Sequence, residues 1–189
     1  LEGLKAIEFT LSSKLSLDVT AKGSEIEILE KTPGELSAYR IKVKPNKKGK
    51  TALIISYSGS IRDEIEAGAA EYARGFSETK GTIGPEGIYL AGSSNWVPSF
   101  DIASLSTFDL FVELDESWGV VSQGTRTINE VTGERRLIKY HSPDPMDEIY
   151  LIAAQWSEYS RQSGDVLVQA FLRTPDEALA QRYLGVTSH

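Results

Sequence analysis

His141 and His189 are the only histidines in the chain, and there is no cysteine. A catalytic zinc site takes three protein ligands and an open position, commonly with two histidines four residues apart on one helical face. Here the two histidines stand far apart and no His-Glu-x-x-His occurs, so no metal site and no catalytic residue is expected within this chain. The lack of cysteine also removes disulfides, thiol nucleophiles and iron–sulfur ligation. A serine nucleophile would need a base, and the one internal histidine, His141, is followed by Ser142-Pro143. Gly92-Ser93-Ser94-Asn95 lacks the Gly-x-Ser-x-Gly elbow. His141 therefore reads as a strand-end residue in a loop.

Other patterns fail on context. Lys48-Gly49-Lys50-Thr51 mimics the tail of a phosphate-binding loop, but Lys44 stands where the first glycine belongs, and the segment joins two strands. With Lys42 and Lys44 it reads as a solvated hairpin end, or else as an anion-binding cluster. Gly81, Gly84 and Gly87 lack the strand-to-helix setting of a dinucleotide loop. Asp144, Asp147 and Glu148 would suit a hard cation such as calcium, or would simply solubilise a proline-containing loop. Trp96, Phe100, Phe108, Phe111, Trp118, Trp156 and Phe171 fall mostly within strand patterns, which makes core packing their ordinary role and an exposed sugar platform the alternative.

The elements that must position these residues are mainly strands. Apolar and polar residues alternate through Ile7, Phe9 and Leu11, through Leu15, Leu17 and Val19, through Ile26 and Ile28, and through Tyr39, Ile41 and Val43. Turn chemistry separates them at 21–24, 32–34 and 45–49. Residues 51–57 form a more continuous apolar run, which predicts a strand covered on both faces. Alanines 67, 69, 70 and 73 predict a short helix over 62–74, interrupted at Gly68. Further strands are predicted at 107–114, 118–122, 135–141, 148–159 and 165–172, with hairpin turns at 131–134 and 160–164. About ten strands with short connections define an all-β domain with mainly antiparallel, saddle-shaped or sandwich-like sheets. Near the end, Thr174-Pro175-Asp176-Glu177 predicts a helix start with Thr174 as the capping residue. That helix is cut short by the chain end and, lacking partner helices, is expected to be poorly anchored.

Composition narrows the classes. The 189 residues suit one domain with a sizeable core, and no apolar run approaches the roughly 20 residues of a membrane helix. A net charge of −7 repels phosphate backbones, which argues against a nucleic-acid partner. Absence of cysteine fits a reducing cytosol and a bacterial envelope equally. Leu1 opens the chain without a signal-type segment, and the reading is of a piece of something larger.

Three segments together resemble a known family. Asn95-Trp96-Val97-Pro98-Ser99-Phe100-Asp101, followed by Ser106-Thr107-Phe108-Asp109-Leu110, is similar to the Trp-Phe-Pro and Thr-Phe-Asp stretch of zinc metallo-aminopeptidases of the alanyl aminopeptidase and leukotriene-A4-hydrolase type. Residues 150–159 resemble that family's Tyr-Leu-x-Ala strand motif, and Phe171 to Leu184 looks like the crossing from its N-terminal β-domain into the first helix of its catalytic domain. The resemblance implies a saddle-shaped N-terminal β-domain over residues 1–174, with 175–189 beginning the helix of a missing catalytic domain. It implies a parent that hydrolyses peptides with zinc held wholly on that later domain, and so no cofactor in this fragment. This chain would then be non-catalytic, with its own catalytic domain and a peptide substrate as partners. Ser93, Ser94 and Asn95 are the candidates for cleft-facing groups. The family's amine-holding Gln or Glu before the Trp-Phe-Pro stretch has no carboxylate counterpart in 91–95, where Asn95 is the nearest amide. The alternative is a free-standing β-sandwich module that binds carbohydrate or protein.

Elemental analysis of the dialysed protein is expected to find no tightly held zinc; one zinc per chain would overturn the reading of the ligand set.

Overall fold

The computed structural model describes residues 6–18, 26–31, 36–42, 53–67, 77–100 and 105–186. The strands are β1 (Ala6–Ser12), β2 (Leu15–Leu17), β3 (Ile26–Lys31), β4 (Leu36–Lys42), β5 (Tyr57–Gly59), β6 (Glu66–Ala67), β7 (Ser77–Glu78), β8 (Gly81–Gly84) and β9 (Gly87–Leu90). They continue with β10 (Ser99–Phe100), β11 (Ser106–Asp115), β12 (Trp118–Val121), β13 (Thr125–Thr132), β14 (Arg135–Met146), β15 (Leu151–Gln155), β16 (Ser157–Ser163) and β17 (Val166–Leu172), and helix α1 covers Glu177–Val186. The fold is all-β, and every pairing among the described residues is antiparallel.

Three sheets meet on one apolar core: β10-β1-β4-β3, β12-β15-β9-β8 and β11-β14-β13. Alternation decides which residues enter it. Phe9 and Leu11 of β1 face the same way as Tyr39 and Ile41 of β4, and all four are buried. Phe9 stacks on Tyr39 with ring centroids 5.2 Å apart. Leu90, Val120, Leu151 and Ala153 enter from the second sheet, and Val112, Ile138 and Tyr140 from the third. A polar atom carried into this core needs a partner. The Tyr140 hydroxyl finds one by donating to the Val120 carbonyl at 2.9 Å, which joins the third sheet to the second.

The hairpins follow from turn chemistry. Thr132 pairs with Arg135, which leaves Gly133 and Glu134 as a two-residue loop with Gly133 at φ 61°, a conformation that glycine adopts without a steric penalty. In the next hairpin Ser163 pairs with Val166, so β16 runs on through most of the expected turn and the reversal falls at Gly164 and Asp165.

Several expectations are corrected. The helix expected over 62–74 does not form where the chain is described: Arg62 bridges Thr82, and Glu66–Ala67 pairs with Ser77–Glu78. Alanine's helix preference is worth only tenths of a kcal/mol per residue, roughly, and tertiary strand pairing overrides it; residues 68–74 lie outside the described residues. The apolar run at 51–57 is not covered on both faces. Leu53, Ile55 and Tyr57 pack on the core, whereas Ile54 between them is 83% exposed, and only Tyr57 belongs to a strand. The strand expected over 148–159 is two, β15 and β16, broken at Trp156. There the chain leaves the second sheet for the β16-β17 pair, and the Trp156 ring packs on Phe171 with centroids 5.1 Å apart. Strand β13 was not expected, because Arg126 and Ile128 alternate with threonines and no continuous apolar face marks it. The turns at 21–24, 32–34 and 45–49, and lysines 44, 48 and 50, lie outside the described residues.

Helix α1 starts two residues later than expected. Asp176 is its cap, with Oδ1 accepting from the Leu179 N–H at 2.9 Å, while Thr174 and Pro175 precede it. It is also anchored. Ala180 and Leu184, one turn apart, are fully buried. The helix packs on β16 and β17, with Tyr159 Oη accepting from the Asp176 N–H at 3.0 Å and Arg161 donating to Gln181 at 2.7 Å. The hairpin thus supplies the partner surface that a helix bundle would otherwise provide.

A bidentate ion pair secures the same hairpin to the third sheet: Arg126 donates to both carboxylate oxygens of Glu158, at 2.7 and 2.6 Å. The Arg126 guanidinium holds Glu158 below the ordinary glutamate value of 4.5. A depressed carboxylate contributes stability that is present above its unfolded value and lost as pH falls through the folded one. Glu158→Gln is therefore expected to cost about 1–2 kcal/mol at pH 7 and to leave a shallower loss of stability below pH 4.5, as read by urea denaturation across the acid range.

Candidate functional site

The three cleft candidates sit where β9 ends. After Leu90 and Ala91 the chain makes a single 3-10 turn, Gly92–Ser94, closed by Asn95 at φ 47° and ψ 40°. Asn95 is the one non-glycine residue with positive φ among the described residues. Asparagine tolerates the left-handed region because its short polar side chain bonds locally. Here Nδ2 donates to the Ser93 carbonyl at 3.2 Å. The Asn95 carbonyl accepts from the Ser12 N–H at 2.9 Å, which pins the turn to the end of β1.

The structure separates the three residues by role. Ser94 is buried, and its hydroxyl is consumed inside the turn, accepting from the Ala91 N–H at 3.0 Å and donating to the Lys80 carbonyl at 2.6 Å. Ser93 is exposed and also donates to the Lys80 carbonyl, at 3.1 Å. Asn95 lines a cleft of about 500 Å³. One wall of that cleft is the segment from Asn95 to Phe100; the other is formed by Leu105, Ser106 and residues 146–149. The Trp96 indole N–H donates to the Ile149 carbonyl at 3.1 Å and ties the walls together.

A fourth residue belongs here that sequence reading placed elsewhere. Glu148 lines the cleft, and its Oε2 accepts from the Gly92 N–H at 2.8 Å while Oε1 accepts from the Tyr150 hydroxyl. Its carboxylate occupies the space a side chain at Gly92 would need. Gln123 fixes the same segment from behind, donating to the Glu148 carbonyl at 3.2 Å and accepting from the Tyr150 N–H at 2.8 Å. A carboxylate therefore stands beside the turn, contributed from 56 residues along the chain. No sequence signal marked it, since its neighbours Asp144 and Asp147 made it look like part of a cation loop. Among the described residues no group of three His, Asp or Glu side chains comes together that could hold a metal ion.

The remaining titratable groups lie apart. His141 is not in a loop: it sits within β14, opposite Asp109 and Thr125, with Nδ1 2.9 Å from Asp109 Oδ1. Asp109 also takes Lys139 Nζ at 3.0 Å. Lys139 first, and His141 second, hold its carboxyl below the usual aspartate value. None of these three residues lines the cleft. The cleft presents an amide, a fixed carboxylate and an apolar wall, with Met146 and Leu105 on the side facing Trp96.

No protein-family model matches the chain, and no curated protein matches it in sequence. Its fold is similar to that of an M1 zinc metallopeptidase from Deinococcus radiodurans, with a TM-score of 0.50 and 13% identity over 97% of this chain and 45% of that one. A mutant two-domain M1 zinc metallopeptidase bound to L-tryptophan covers the same shares, at 15% identity and a TM-score of 0.48. The chain thus has a fold found within an M1 zinc metallopeptidase, and it spans less than half the length of that protein's chain.

The Tyr150 hydroxyl titrates above its ordinary value of 10.0, chiefly because it donates to the Glu148 carboxylate. Glu148→Gln is expected to bring the titration of Tyr150 down towards that value, read as the tyrosinate absorbance lost on Tyr150→Phe. An unchanged midpoint would show that this hydrogen bond does not hold in solution.

Proposed function

We propose that this chain is the non-catalytic N-terminal β-domain of a metallo-aminopeptidase-related protein, covering a catalytic domain and supplying one wall of its peptide cleft. The observation that supports this most is the fold likeness: nearly the whole chain matches part of an M1 zinc metallopeptidase, while more than half of that protein lies outside the match. On this reading residues 1–174 are the domain and 175–189 lead into the catalytic part. The zinc would be held there, since the described residues of this chain do not fit a catalytic zinc site.

Within the cleft, Asn95 offers a rigidly held amide on a wall that Trp96 ties in place, and Ser93 lies exposed beside it. Ser94 shapes the turn from inside. Glu148 places negative charge where a cationic group of a peptide would be drawn in. On this reading Asn95 and Glu148 bind and orient, Ser94 only shapes the turn, and none of them attacks an amide.

Expression of the complete reading frame that contains this chain tests the proposal. The complete protein is expected to hydrolyse alanyl and leucyl chromogenic amides, with Asn95→Ala raising KM several-fold and leaving kcat little changed. The 189-residue chain alone is expected to show no turnover. A complete protein without a His-Glu-x-x-His sequence or without hydrolysis would overturn the proposal, as would turnover by the 189-residue chain that vanishes in His141→Ala. A gene product confined to this domain that binds carbohydrate would establish the free-standing module instead.

A further inference from the structure

A second groove, of about 770 Å³, lies on the face of the β12-β15-β9-β8 sheet turned away from the core. Register places Thr82, Tyr89, Ile152 and Val121 in one row across the four strands. Because side chains alternate, this row points opposite to Val120 and Ala153, which are buried in the core. Beside the row, Gly87 and Ala154 leave a shallow floor, walled at one end by the tilted ring pair of Trp156 and Phe171. Tyr89 and Ile152 remain 36% and 37% exposed, which is more apolar surface than a fully covered sheet face would leave open.

The charges around this floor run against the rest of the molecule. The chain carries a net −7, yet among the described residues the charged ones lining the groove are Arg62, Arg173 and Glu86. Arg173 Nη1 stands 4.0 Å from the Glu86 carboxylate, beyond hydrogen-bonding distance, and Glu86 is 94% exposed. The other end of the guanidinium, Nη2, lies over Gly87, 3.2 Å from where a Cβ would be. Arg62 is held at the opposite edge by its backbone bridge to Thr82. An open apolar floor with a guanidinium laid across it is complementary to an apolar body that ends in an anion. The planar fork of arginine matches a carboxylate in two parallel hydrogen bonds, and the volume falls in the range of small-molecule clefts, roughly 300–1,000 Å³.

We propose that this groove binds a free apolar monocarboxylate, with its carboxylate on Arg173 and its body against Tyr89, Ile152 and Trp156. This site is separate from the Asn95 cleft and does not depend on the peptidase-related reading. The probes are octanoate, 1-octanol and octylammonium, titrated into the isotope-labelled chain. The readout is the indole N–H signal of Trp156, assigned by its loss in Trp156→Phe. Octanoate is expected to shift that signal saturably, with 1-octanol about tenfold weaker and octylammonium weaker still. Arg173→Gln is expected to bring octanoate down to the level of 1-octanol. Ile152→Glu, at an exposed position, is expected to abolish octanoate binding. Unchanged indole signals of Trp96 and Trp118 in both variants report an intact fold. No saturable shift, equal binding of the three probes, or full octanoate affinity in folded Arg173→Gln or Ile152→Glu would overturn the proposal.

Discussion

The shared core beneath the three sheets is the constraint on which everything else rests. Among the described residues none of the sheets has more than four strands, and such small sheets need a buried face to stand. The sheets find that face in one another, through Phe9, Leu11, Tyr39 and Ile41 from one, Leu90, Val120 and Leu151 from another, and Val112, Ile138 and Tyr140 from the third. Burying each large side chain contributes about 1.5–3 kcal/mol. The Tyr140 hydroxyl on the Val120 carbonyl then fixes how two of the sheets meet, since an unpaired phenol in this position would cost more than the bond itself contributes.

The candidate cleft depends on that core. β9 delivers the turn at Gly92–Ser94, β1 holds it through the Ser12 N–H, and the segment before β15 brings Glu148 to the Gly92 amide. Three stretches distant in sequence converge because their strands belong to sheets that pack on one another. The cleft is therefore a product of sheet packing more than of any single motif.

This explains what was legible in the sequence. Period-two alternation exposed the strands that bury one face, such as β1, β4 and β11, and glycine chemistry marked the β13-β14 reversal at Gly133. Alternation is silent where a strand has no continuous apolar face, as in β13, and a continuous apolar run misleads where one side of it lies in solvent, as at Ile54. The Gly92–Asn95 segment could be picked out from its neighbours along the chain. Glu148 could not, because its significance lies in a hydrogen bond to Gly92 across 56 residues of separation. Helix capping at Thr174 was chemically sound, but Asp176 is the residue that Tyr159 and the hairpin place in register.

The bond from the Trp96 indole to the carbonyl of Ile149 has a consequence for how this cleft can diverge. The acceptor is main chain, so it survives replacement of the side chain at 149 by almost any other. Drift at 146, 147 and 149 can repaint one wall of the cleft while the distance between the walls stays fixed. Loss of the indole at 96 would release that spacing in a single step. Selection for new surface chemistry and selection for cleft width thus act on different positions, and the first can proceed without disturbing the second.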